Sequence, residues 1–303
     1  MSEEIPAPQI LDELDRSQKF QRVFKDVLAG TFSGVAQVLV GQPFDITKVR
    51  LQTHTGHTTA FNVVKDLIKN EGFSAFYKGT LAPLAGVGAC VSCQFGVNEA
   101  MKRYFHARNG SKIQPLALDQ YYACGAVSGA ANAFLATPIE HVRIRLQLQR
   151  RALTSSEYRG ALDCARKLIK QGKLMRGLTA TLLRTAHGFG VYFLTYEYLC
   201  NVEATRGIKK ADIPTWKVCG FGAIAGALFW AMTYPVDVVK SVMQADRLTN
   251  PQHGTTIWQV AKTLYREGGV RVFVKGFTPT MLRALPVNGA TFAAFEIAMR
   301  ILN

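Results

Sequence analysis

Uncharged stretches punctuate the chain at residues 27–44, 79–98, 120–139 and 218–236, each 18 to 20 residues long. At about 1.5 Å of rise per residue, such a run nearly crosses a bilayer core of about 30 Å. One run of this length also suits a buried helix of a soluble protein, but four in a chain of 303 residues do not. Two further apolar segments, 177–200 and 276–299, are similar but each encloses an arginine. The pattern predicts six membrane spans. Between paired spans lie polar segments such as 61–70 and 257–266. Their apolar residues fall at helical spacing (Phe61, Val64, Leu67 and Ile68; Ile257, Val260 and Leu264), which predicts short helices on the membrane surface.

The same pattern repeats. "QPFDITKVRLQ" at 42–52 returns as "TPIEHVRIRLQ" at 137–147 and "YPVDVVKSVMQ" at 234–244, with Pro43, Pro138 and Pro235 separated by 95 and 97 residues. The glycine pairs Gly30–Gly34, Gly125–Gly129 and Gly222–Gly226 each begin 13 residues before the proline. Fixed offsets in triplicate define an internal repeat. Each unit reads as a glycine-notched helix, a proline, a charged helical end, a surface helix and a second span. The notches let helices approach where lipid supplies no hydrophobic drive between them. The boundaries follow as a polar N-terminal tail at 1–19 and repeats at 20–110, 111–206 and 207–303.

Asp45, Lys48 and Gln52 stand at i, i+3 and i+7, along one helix face, as do Glu140, Arg143 and Gln147, and Asp237, Lys240 and Gln244. Charges snorkelling to the interface would explain one such set. Three in the same phase predict acids and bases pairing between neighbouring helices in a ring about a pseudo-threefold axis. Arg184 and Arg283 lie 13 residues before Glu197 and Glu296, roughly 20 Å along a helix and near mid-membrane. A cation there is costly unless it meets water or an anion, so the two mark a candidate binding site.

Composition adds a net charge of +15 from 36 Lys+Arg against 21 Asp+Glu, which implies an anionic partner. The apolar runs turn that partner from nucleic acid to lipid or an anionic solute. The acidic opening "MSEEIPAPQILDELDRS" has neither an apolar core nor the arginines of a transit peptide, so any organelle address is expected to be internal. Cys90 and Cys93 form a lone CxxC, His54 and His57 an HxxH. Neither has the partners of a metal site, so no metal and no cofactor is expected. No nucleophile–base constellation, P-loop or dinucleotide fingerprint occurs, which excludes the common enzyme classes.

From about residue 20 onward the chain resembles the mitochondrial carrier family. The resemblance rests on Pro43, Asp45, Lys48 and Arg50, then Glu71-Gly72 and Tyr77-Lys78-Gly79, and on their echoes. Repeat two departs with Gln171-Gly172 and Met175-Arg176-Gly177, and repeat three with Val242 and a longer Glu267-Gly268-Gly269 to Lys275-Gly276 segment. The resemblance implies an all-α membrane protein of six transmembrane helices in three pseudo-threefold repeats, each with a short matrix-side surface helix. It implies a multi-pass location in the mitochondrial inner membrane, alternating access without covalent chemistry, and a monomer contacting membrane lipid such as cardiolipin. It makes Asp45, Lys48, Glu140, Arg143, Asp237 and Lys240 a matrix gate braced by Gln52, Gln147 and Gln244. The opposite, cytosolic gate is thinner: Glu99 with Lys102 as its best-formed element, then Glu197 and Glu296 without a base three residues on.

"LLRTAHGFGVYFLTYEYL" and "LRALPVNGATFAAFE" are similar to the carnitine and basic amino-acid branch, and "CQFGVNEAMKRYF" to fungal Ymc-type carriers. That similarity assigns substrate contact to Arg184 and Arg283, with Thr185, Gly86, Val87 and Gln42 at neighbouring contact positions. Thr185 stands where carnitine carriers have an acid, and Gln42 where they have a histidine. Both differences favour a small carboxylate-bearing metabolite, an amino acid that is glutamate-like. Carnitine or acylcarnitine, an ornithine-like basic amino acid, and a non-transporting adaptor on the same fold are the alternatives.

Overall fold

The computed structural model describes residues 7–53, 58–110, 116–149, 157–208 and 212–302. Six long helices, α1 (Ala7–Thr53), α3 (Leu81–Arg108), α4 (Leu118–Leu148), α6 (Leu178–Thr205), α7 (Thr215–Ala245) and α9 (Phe277–Leu302), alternate with three short ones. These are α2 (Ala60–Glu71), α5 (Ala161–Lys170) and α8 (Ile257–Gly268), and 3-10 turns at Phe73–Tyr77 and Gly269–Val274 lead into α3 and α9. Among the described residues there is no strand. α1 starts inside the segment read as a polar tail, because Pro8 sits in the first turn, where its missing N–H is no loss, and good helix formers follow. The HxxH pair lies outside the described residues, and all six cysteines are free.

The chain divides into two compact units, one of residues 42–284 and one of 1–41 with 285–303. In the smaller unit the Ser33 hydroxyl donates to the carbonyl of Ala29 at 3.0 Å and that of Thr291 to Val287 at 2.7 Å, each closing within its own helix. The larger unit carries the main packing, α4 against α6, α3 against α4 and α6 against α7.

In repeat two the glycine notch is filled by a neighbouring backbone. A Cβ on Gly125 would lie 2.2 Å from the carbonyl oxygen of Phe189, and one on Gly129 2.2 Å from that of Thr185. In repeat three the notch is looser: a Cβ on Gly222 meets only the Tyr192 hydroxyl, at 3.8 Å, and one on Gly226 meets nothing within 4 Å among the described residues. The helices run through Pro43, Pro138 and Pro235.

Each short helix packs on the end of the long helix before it. Val63 and Leu67 of α2 join Ile46 and Leu51; Cys164 and Leu168 of α5 join Val142; Val260 and Leu264 of α8 join Val238 and Val242. Thr59 and Thr256 cap α2 and α8, each accepting from the N–H three residues on. The predicted stripe on α2 is split. Leu67 is buried and Val64 partly so, whereas Phe61 and Ile68 are exposed, and Val63, outside the predicted stripe, turns inward beside Leu67.

Elsewhere several polar side chains turn inward while large apolar ones turn outward. Gln42, Thr137, His141, Gln147 and Gln244 are wholly buried, whereas Phe32, Phe95, Phe134, Met232, Leu282 and Ile301 are more than half exposed. Large apolar side chains turned outward along helices suit lipid rather than water. Two segments, Phe73–Arg108 and Trp216–Ala245, hold windows of mean hydropathy 1.4 and 1.3 that suffice for a span by composition alone. The other long helices interleave polar residues that the interior uses.

Candidate functional site

The charged ends of α1, α4 and α7 meet within the larger unit. Asp45 accepts from Arg143 at 2.6 Å and Asp237 from Lys48 at 2.7 Å, while Glu140 pairs with Lys240. Each acid thus takes a base from another repeat, and all six residues close one ring. Lys48 also lies 4.4 Å from the centre of the Trp230 ring, whose face attracts the ammonium.

The glutamines do not act alike. Gln52 donates to Asp237 at 3.2 Å and to the Tyr234 hydroxyl at 3.3 Å, a brace on the Lys48 pair. The Gln147 side chain has no hydrogen-bond partner among the described atoms, and that of Gln244 donates to the carbonyl of Arg176 at 3.3 Å. All three share one phase and one offset, yet Gln147 and Gln244 make no hydrogen bond to a ring carboxylate among the described contacts.

Gln42 takes over part of that work. Its amide nitrogen donates to the carbonyl of Lys78 at 2.8 Å, and its oxygen accepts from Arg143 at 2.6 Å, so in this structure it orients a base of the ring. Thr185 and Gly86 also differ from their expected place. The Thr185 hydroxyl donates to the carbonyl of Thr181 at 2.8 Å at the α4–α6 crossing, where the side chain is buried. A Cβ on Gly86 would lie 2.2 Å from the Ile139 side chain, so the glycine serves the α3–α4 crossing; Val87 beside it is half-buried.

Arg184 and Arg283 sit on the ring itself. Arg184 reaches Glu140 at 3.0 Å and Asp237 at 3.6 Å, and Arg283 reaches Asp45 at 3.4 Å. Five cations therefore surround three carboxylates, a surplus of two positive charges. The Nε atom of Arg184 lacks a hydrogen-bond partner, which leaves donor capacity for an incoming carboxylate, while that of Arg283 is the atom facing Asp45.

At the other end Lys102 bridges from α3 to Glu197 of α6 at 2.9 Å and reaches Glu99 at 3.3 Å. The stronger contact is the one between helices. Glu99, three residues from Lys102 on the same helix, leaves its side chain 55% exposed. The side chain of Glu296 lies outside those described.

Sequence reasoning missed Arg50. It pairs bidentately with Glu71 at 2.6 and 3.1 Å and donates to the backbone carbonyl of Gln147, while Lys78 joins the same carboxylate. Burial pushes the Glu71 carboxyl up, but the bonds and charges of Arg50 and Lys78 outweigh it and hold the group below its ordinary range. The motif departures of the other repeats follow from this pair. Repeat two has Gln171 in place of the acid, and Arg145 instead bonds His141 and the backbone carbonyl of Asp246. Repeat three has no basic residue at this position; Val242 is buried in an apolar cluster and Glu267 turns to His253. The signal is that only repeat one keeps both partners: repeat two has lost the acid and repeat three the base.

The profile of the mitochondrial carrier protein family matches residues 19–109, 115–204 and 211–303. The chain belongs to this family. It is therefore a transporter and a multi-pass protein of the mitochondrial inner membrane, built of three repeats. It is 59% identical over 307 residues to a mitochondrial glycine transporter of Saccharomyces cerevisiae, covering 100% of both chains. It is 46% identical over 281 residues to a glutamate/glycine mitochondrial carrier of Schizosaccharomyces pombe, covering 90% of this chain and 92% of the other. The human mitochondrial carnitine/acylcarnitine carrier protein is 34% identical over 291 residues, with 92% and 94% covered.

Proposed function

We propose that this carrier moves a small amino acid, glycine or glutamate, across the inner membrane by alternating access and counter-exchange. The observation that carries the reading is the two-charge surplus where Arg184 and Arg283 meet Asp45, Glu140 and Asp237. A cargo carboxylate draws the guanidinia off the acids, since arginine binds carboxylates bidentately. The cargo ammonium then takes the place the arginines leave. Both contacts weaken the ring from the cytosolic side, so a zwitterion loosens the gate that an anion alone would leave half held. The names of the yeast relatives, which mention glycine and glutamate, agree with this charge balance. The contacts exchange and no covalent step is involved.

Asp45, Lys48, Glu140, Arg143, Asp237 and Lys240 serve as the matrix gate, with Gln52 as its brace and Gln42 as the residue that aims Arg143. Lys102 with Glu197 and Glu99 forms the cytosolic contact. A monomer in contact with membrane lipid fits a groove of about 280 Å³ between Tyr77-Lys78-Gly79 and Tyr158-Arg159-Gly160, which offers a phosphate the Arg159 guanidinium and backbone N–H groups beside the Lys78–Glu71 pair. The test is uptake of labelled glycine, glutamate, carnitine and ornithine into proteoliposomes. Glycine or glutamate is expected to exceed the other two, and Arg184→Ala and Arg283→Ala are each expected to lower it by at least tenfold. Normal transport by both variants would sink the assignment, and preferential carnitine or ornithine uptake would replace the cargo.

A further inference from the structure

Below the ring, on the matrix side, lies a cleft of about 860 Å³ lined from three repeats, from Gln52 and Thr53 across Leu148 to Asp246 and Lys275. Its chemistry is sorted. The Asp246 carboxylate is turned into its own loop, where it accepts the N–H groups of Arg247, Gln252 and His253 at 2.7, 3.0 and 2.8 Å. Glu267 stands 3.7 Å from the His253 ring. The Asp246 carboxylate is thus occupied and Glu267 lies beside the His253 ring, whereas the exposed guanidinia of Arg247 and Arg271 have no ion pair among the described contacts. At the roof, Gln52 is 2% exposed and its amide oxygen has no hydrogen-bond partner, although its nitrogen holds Asp237. A buried acceptor left open stands in need of a donor.

An open acceptor above unpaired guanidinia is complementary to a molecule with an ammonium at one end and a carboxylate at the other. We propose that this cleft is a second docking site for the amino-acid cargo, met first from the matrix and separate from the arginines above the ring. The cargo ammonium donates to the Gln52 oxygen, and its carboxylate lies on Arg247 and Arg271. Because Gln52 also holds Asp237, occupancy from the matrix acts directly on the Lys48–Asp237 pair. The inference rests on the amino-acid reading of the cargo.

The experiment measures KM for labelled glycine and glutamate separately at the two faces of proteoliposomes of determined orientation. Wild type is compared with Arg247→Gln/Arg271→Gln, and with Arg247→Lys/Arg271→Lys as a charge-retaining control. The glutamine pair is expected to raise KM at the matrix face roughly tenfold or more and leave the cytosolic face unchanged. The lysine pair should recover part of the loss. Equal shifts at both faces, or none at either, would overturn the docking site and leave a water-filled vestibule. Wild-type protein that moves neither amino acid would overturn the cargo reading, and the proposal with it.

Discussion

The Lys48–Asp237 pair allows the closed ring to be weighed by a double-mutant cycle. Asp237→Asn keeps the shape of the side chain but removes the charge that accepts from Lys48 at 2.7 Å and faces Arg184 at 3.6 Å. The side chains of the pair are 11% and 3% exposed, so the partner left behind is a buried, uncompensated charge. Breaking such a pair costs about 3 kcal/mol, at the low end here because Lys48 retains the Trp230 ring. At roughly 2 °C per kcal/mol for a chain of this size, Tm in detergent with added lipid should fall by about 6 °C. Lys48→Met should do the same by stripping Asp237 of its nearest cation. The double variant, with no charge left unpaired between the two, should fall by about 6 °C again rather than about 12 °C, a coupling of roughly 3 kcal/mol. Glu99→Gln is the control, since its exposed pair contributes under about 1 kcal/mol. Additive losses, within about 0.5 kcal/mol, would refute the reasoning, because the two residues would then not be partners in the resting protein.

Two further outcomes are expected. Gly129→Ala forces its Cβ against the carbonyl of Thr185 and should lower stability by about 1–3 kcal/mol, whereas Gly226→Ala, with open space around it, should be near neutral; equal effects in thermal unfolding would contradict the notch. The depressed Glu71 carboxyl contributes stability that is present above the unfolded pKa and lost as pH falls through the folded one. Wild type should therefore lose Tm on acidification below about pH 4.5 more steeply than Glu71→Gln, and parallel pH profiles would exclude the pair as the cause.

The repeat, the six long helices and the ring membership of Asp45, Glu140 and Asp237 were legible because each depends on period and phase, which a sequence states directly. Reach is not stated there. Gln52, Gln147 and Gln244 share one phase, yet only Gln52 touches the ring, because contact depends on how far each helix end slides past its neighbour. Thr185 and Gly86 were read as lining a cavity from their position beside known contact points. Their burial at helix crossings is set by Gly129 and Ile139, residues of another element. Arg50 has Val242 as its counterpart in repeat three, so comparison across repeats hides its role, whereas comparison with Glu71 within one repeat shows it. Gln42 was noticed for what it replaces rather than for the base it holds.

The three-part symmetry of the sequence conceals an unequal seam. Arg184 touches acids of two repeats, Glu140 and Asp237, whereas Arg283 touches Asp45 alone among the described residues. Removing one guanidinium therefore slackens the two junctions that α7 makes, with α4 and with α1, and the third waits on a different residue. The floor of the carrier is expected to part first around α7 and last between α1 and α4. Triplication built three equal hinges, and a single unshared side chain sets the order in which they swing.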